Sequence, residues 1–344
     1  METFLGIDYP TWWFFVIGGL FAGYAVLDGL DFGAGAWHLF FKKESSRRIA
    51  LNAIGPVWDG NEVWLVIGGG ALFAGFPVVY ATLFSAMYVP FMLFLAFLIM
   101  RAVSIEFRSK EEMKWWRQMW DITYSLSSIM LPILLGIVLG NVLQGFPLKE
   151  GEQLQVSLLQ AINPFSLIVG FTTLALFMMH GAIYLAMKTD GRLFAKVTIL
   201  LKRSISVFIL LFGIMSAYAL IFLEHLSDDF QSNPTLFVVP LLAIVSISLI
   251  PRLAQRRQYF YAFVASSLSI CLFLLIVAIE LYPVILLSTI DPAFSVTVYD
   301  AASSTKTLKL MLSFAGIGMP LVGLYTFFVY STFKGKVELD EMSY

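Results

Sequence analysis

Residues 12–41 read WWFFVIGGLFAGYAVLDGLDFGAGAWHLFF, and this stretch decides the fold. As a helix it extends about 45 Å at 1.5 Å per residue, more than the roughly 30 Å of a bilayer's hydrocarbon core. It has no proline, no polar and apolar alternation, and only Asp28 and Asp31 as charged side chains. A barrel strand would alternate. In hydrocarbon every backbone polar group must bond within its own segment, so the stretch predicts a membrane-spanning helix.

The same signature recurs along the chain. Spans are expected at 12–41, 51–75, 78–102, 118–143, 164–187, 204–225, 235–250, 259–287 and 309–333, a bundle of nine transmembrane helices forming one domain over residues 1–344. The fold class is an all-α integral membrane protein. Composition agrees: 59% of residues are hydrophobic and 13% charged, against about 45–50% and 25% in soluble domains. A mean hydropathy of +0.83 excludes a soluble globular enzyme, a disordered chain and a nucleic-acid binder. The single cysteine, Cys271, excludes a disulfide framework and a cysteine-built metal centre. The loops near 144–163 and 288–308 are too short to build a core of their own.

Orientation follows from Lys and Arg. All but Lys149, Lys306 and Lys309 of the 22 basic residues fall after odd-numbered spans, while Glu150, Glu152, Asp228, Asp229, Asp291 and Asp300 mark the opposite side. The positive-inside rule then places the N-terminus outside and the C-terminus in the cytoplasm. Glu2 and Asp8 replace the basic start of a secretory signal, so the first helix is expected to remain. Trp12 and Trp13, and Trp115, Trp116 and Trp120, suit the two interfacial belts.

Acidic side chains within spans cost about 2.5–3.5 kcal/mol each, so each is a functional candidate. They are Asp28, Asp31, Asp59, Glu62, Asp121 and Glu280, with Arg101 and Glu106 near the inner end of the third span. Asp28 and Asp31 are three residues apart, as are Asp59 and Glu62, so each pair is expected on one helix face and the four carboxyls to face one another. One cation, Arg101, cannot neutralise four carboxylates at low dielectric, and such a cluster suits a proton relay. The plainer alternative is that Asn61, Trp58 and backbone groups cap these acids and fix packing. A proton-coupled secondary transporter would use the same carboxyls, with Gly55-Pro56 as a helix break, but no internal repeat supports it. His180 is the one plausible haem ligand inside a span, beside His38 and His225 near span ends. With no second ligand at a matching spacing, no haem or metal is expected on this chain. Gly29, Gly33, Gly35, Gly68, Gly69 and Gly70 read as close-packing positions.

Several motifs resemble subunit II of the cytochrome bd-type quinol oxidases. They are LDGLDFGAG at 27–35, GPVWDGNEVW at 55–64, GGALFA at 69–74, Arg101 with FRSK at 107–110, WRQMWD at 116–121, GNVLQG at 140–145, NPF at 163–165 and YDAASS at 299–304. Together they span nearly the whole chain. The resemblance implies a respiratory oxidoreductase subunit in a bacterial or archaeal cytoplasmic membrane, paired with a homologous subunit I that carries haem b and haem d, or b-type haem only. It also implies quinol and lipid as partners, a possible small single-span accessory subunit, no nucleic acid and a possible bound quinone. The family positions matching Asp28 and Asp59 lie on a cytoplasmic proton path toward the oxygen-reducing site, with Arg101 and Glu106 as a polar pair on it. The loop around 227–234 is shorter than in some members.

Overall fold

The computed structural model describes residues 2–149, 154 and 156–339; Glu150 and Glu152 lie outside them. Eleven substantial helices follow in order: α1 (Tyr9–His38), α2 (Glu44–Ile54), α3 (Trp58–Gly75), α4 (Pro77–Ala86), α5 (Tyr88–Phe107), α6 (Lys114–Gln144), α7 (Pro164–Lys188), α8 (Gly191–Phe222), α9 (Val238–Gln255), α10 (Tyr259–Glu280) and α11 (Thr305–Thr332). Among the described residues, eight are long and apolar enough to cross a membrane, and nine if the bent pair α3 and α4 counts as one. The only sheets among them are two short antiparallel hairpins, 3–4 with 7–8 and 284–286 with 296–297.

Prolines explain two of the places where the observed helices depart from the expected limits. Pro56 ends α2, and a turn at residues 55–57 precedes α3, so the second helix of the hairpin starts at Trp58 rather than 51. Pro77 pushes Phe76 out of helical geometry (φ −133°, ψ 67°) and α4 turns 116° from α3. The third span therefore begins at Tyr88, not 78. The sixth helix begins at Gly191 rather than 204, because Arg192, Lys196, Lys202 and Arg203 prolong it beyond the apolar part without breaking it. The eighth ends at Glu280, not 287, and the chain passes into the 284–286 strand. At the start, Asp8 caps α1 by accepting from the Thr11 amide at 2.9 Å.

Helix α1 is the axis of the bundle, packed against α3, α6, α7 and α10. Glycines set its distances. A Cβ on Gly33 would lie 1.9 Å from the Phe177 carbonyl oxygen, and one on Gly181 would lie 2.5 Å from the Ala34 nitrogen, so the α1 and α7 backbones touch. Gly136 meets Gly170 between α6 and α7 in the same way. Gly69 and Gly70 approach no other part of the described chain. Helix α11 buries only Leu308, and its face with Phe314, Ile317, Leu321, Leu324 and Phe328 is exposed.

Candidate functional site

The α1 axis carries its acids into the middle of the bundle. Asp28 and Asp31 are 0% and 1% exposed. Arg101, from α5, is also 1% exposed and donates from Nη1 to Asp28 Oδ1 at 2.6 Å. Its Nη2 lies 3.4 Å from Glu62 Oε2, and its guanidinium sits 4.4 Å over the Phe32 ring. One cation therefore bridges carboxyls from α1 and α3. Asp31 has a different partner: Asn61 Nδ2 donates to its Oδ2 at 2.8 Å and to the Leu27 carbonyl at 3.2 Å. Tyr330, on α11, donates to Asn61 Oδ1 at 3.2 Å, so the last helix orients the amide that holds Asp31. Asp31 Oδ1 is buried with no hydrogen-bond partner in the protein, and the buried Tyr24 hydroxyl, one turn before Asp28, faces the Asp28 carboxyl.

Of the residues singled out from the sequence, Asp28, Asp31, Asn61, Glu62 and Arg101 converge. Trp58 is buried in the apolar core at the base of α3. Asp59 is exposed in the first turn of α3, three residues before Glu62, and acts on Glu62 electrostatically. Three carboxyls, not four, therefore share the buried site. The pair is about 60° apart around α3 and straddles the edge of its buried stripe, with Glu62 turned toward Arg101 and Asp59 outside it. Glu106 is half-buried, five residues beyond Arg101, whose ion pairs run to Asp28 and Glu62. Glu280 closes α10 at the other end of the molecule.

A second polar network lies at the end of the bundle that carries the basic loops. Asp121, in α6, is 0% exposed. Its Oδ1 bonds His38 Nε2 and accepts from Arg108 Nε at 2.6 Å, while Oδ2 accepts from Arg47 Nη1 at 2.8 Å. Arg108 Nη2 extends to Glu44 at 3.0 Å, and Arg117 lies 3.5 Å from the same carboxylate. Sequence reasoning assigned these basic residues to topology and treated Asp121 alone. The available signal was the placement of His38 and Arg47 across the short α1–α2 loop and of Arg108 and Asp121 across the short α5–α6 loop, both on the basic side.

The histidines do not fit a haem. His180 Nε2 bonds the Val26 carbonyl at 3.0 Å and Nδ1 bonds Ser266 Oγ at 2.7 Å, with Phe263 stacked 4.6 Å away. His225 Nε2 bonds the Leu143 carbonyl at 2.9 Å. His38 is held by Asp121. Among the described residues, no three His, Cys, Asp or Glu side chains form a metal-binding group.

The model of the family described as cytochrome bd terminal oxidase subunit II matches residues 9–333. Cytochrome bd-I ubiquinol oxidase subunit 2 of Escherichia coli K12 is 32% identical over 371 aligned residues, covering 98% of each chain. Cytochrome bd ubiquinol oxidase subunit 2 of Bacillus subtilis 168 is 30% identical over 335 residues, covering 96% of this chain and 97% of that one. The solved bd oxidase from Geobacillus thermodenitrificans superposes with a TM-score of 0.78 at 20% identity, covering 94% of this chain and 98% of that chain, which shows a shared fold.

Proposed function

The chain belongs to the cytochrome bd terminal oxidase subunit II family, and from that premise we propose that it is the haem-free membrane subunit of a quinol-oxidising, oxygen-reducing complex. It is a multi-pass protein of the cytoplasmic membrane that stabilises a haem-bearing subunit I and leads protons from the cytoplasm toward the site of oxygen reduction. The observation that carries this reading is the buried Asp28–Arg101–Glu62 bridge with Asp31 beside it. Haem, held by the partner, supplies the electron transfer and oxygen binding. No step runs through a haem on this chain, since its histidines do not fit one.

What this chain's residues do follows from charge and position. The basic loops face the cytoplasm, so Asp59, in the first turn of α3, meets protons at the cytoplasmic mouth. Glu62, half-buried and one turn deeper, takes them next. Arg101 holds Glu62 and Asp28 around one guanidinium, so that a proton on either carboxyl weakens its pull on the cation and strengthens the other's. Asp31, fixed by Asn61 and lacking a cation at pairing distance, is the member best placed to accept a proton when Asp28 is ionised. Together they move charge through the bundle without a fully ionised cluster in low dielectric.

The test is quinol-driven oxygen consumption per haem in the assembled complex. Asp28→Asn, which keeps the shape but cannot carry a proton, is expected to slow turnover at least about tenfold with haem content retained. Wild-type turnover in that variant overturns the proton-path reading. A pure scaffold predicts loss of assembly with turnover per assembled complex unchanged. The transporter reading draws on the same acid cluster and on the Gly55-Pro56 break, and family membership outweighs it.

A further inference from the structure

Buried polar atoms without a protein partner are uncommon and call for ordered water. Here they cluster. Besides Asp31 Oδ1, they include Tyr124 Oη, Ser128 Oγ and His38 Nδ1, all on the contact between α1 and α6. That contact runs from the Asp121 network toward Asp31. His38 is bonded to Asp121 through Nε2, and its ring meets the Tyr124 ring edge-on at 5.0 Å. Tyr124 lies in the field of Asp31, Asp28 and Arg101. It therefore touches the outer network and senses the inner one.

Gly35 lets the two helices close on each other. A Cβ there would lie 2.0 Å from Ser128 Oγ and 2.9 Å from Tyr124 Cζ, so both hydroxyl-bearing side chains sit directly against the bare α1 backbone, and any larger residue would push them away. Gly35 is one helical turn beyond Asp31 and precedes His38 by three residues. The distance from Asp31 to His38 along α1 is about 10 Å, three or four hydrogen-bond steps of about 2.8 Å. Two hydroxyls and one water cover it.

We propose that the α1–α6 seam, formed by His38, Tyr124 and Ser128 packed against the backbone at Gly35, is a hydrated proton track joining the Asp121 network to Asp31, separate from the Asp59–Glu62 approach. Each transfer forms one O–H or N–H bond and breaks another, and the net event is one proton taken up at the basic end and one delivered to the Asp31 carboxylate. The inference rests on the proton-path reading above and adds a second approach to the same cluster.

The experiment measures oxygen consumption per haem in the purified complex for wild type, Asp28→Asn, Asp59→Asn, and Asp59→Asn combined with Tyr124→Phe and Ser128→Ala. The seam variants remove two hydroxyls and leave every ion pair in place. Asp59→Asn is expected to retain measurable turnover, and adding the seam substitutions is expected to lower it at least about threefold with haem content unchanged. Equal turnover with and without them overturns the seam. Complete loss of turnover in Asp59→Asn alone also overturns it, since no second approach would then exist. If the combined variant does not assemble, Tyr124→Phe with Asp59→Asn decides by the same criterion. Wild-type turnover in Asp28→Asn instead removes the underlying proton-path reading, so the two failures are distinct.

Discussion

Replacing Arg101 by Met tests whether the guanidinium holds the acid cluster together. Its Nη1 is 2.6 Å from Asp28 Oδ1, and both side chains are at most 1% exposed. For charge centres about 4 Å apart at an effective dielectric of about 20, the attraction is about 4 kcal/mol. Removing one partner of a buried pair costs about 3–5 kcal/mol, because the other charge is left uncompensated. Phe32 beneath the guanidinium contributes up to about 2 kcal/mol more when the contact is desolvated. Arg101→Met alone should therefore lower the unfolding midpoint of the assembled complex by about 6–14 °C, at roughly 2 °C per kcal/mol for a chain of this size. Arg101→Met with Asp28→Asn removes both charges and should recover most of that loss. The assay is the fraction of complex remaining assembled after heating, followed in a double-mutant cycle. If the two losses add, Arg101 and Asp28 are not coupled and the bridge does not organise the site.

Three further outcomes follow from particular contacts. Asp121→Asn strips the charge from a carboxylate shared by His38, Arg47 and Arg108 and should destabilise by about 3–5 kcal/mol, whereas exposed Asp59→Asn should change stability by less than about 0.5 kcal/mol; chemical denaturation compares them. Gly33→Ala drives a methyl into the Phe177 carbonyl and should cost about 1–3 kcal/mol or more, while Gly213→Ala, with open space around it, should be neutral or stabilising. Assembled yield separates these two. His180→Leu should cost about 1–3 kcal/mol through its lost hydrogen bonds, yet leave haem per complex unchanged in a reduced-minus-oxidised spectrum.

Much of the bundle is legible in the sequence because hydrocarbon permits few solutions. Apolar length alone located α1, α6, α7, α9 and α11, and the spacing of Asp28, Asp31 and Glu62 marked the buried cluster before any contact was known. What escaped were features set by three-dimensional approach. The apolar runs at 51–75 and 78–102 gave no sign that the chain from Pro77 forms a separate helix, α4, turned 116° from α3. Asp59 and Glu62 satisfy one-face spacing, yet they straddle the edge of the buried stripe, and only the rotation of α3 against α1 decides which turns inward. The Asp121 network joins residues from four elements, so its charges read singly as topology signals. Asn61 stands in the recognised WDGNEVW run, but its grip on Asp31 depends on Tyr330, 269 residues away.

The most direct measurement of the central claim is proton uptake during a single turnover, with the fully reduced complex mixed with oxygen in the presence of a pH-indicating dye. In wild type, uptake should accompany oxygen reduction. In Asp28→Asn, with haem content and oxygen binding intact, the account predicts that uptake and the reduction steps that depend on it slow together by at least about tenfold. Uptake at the wild-type rate in that variant would contradict the account and leave the buried acids a structural role.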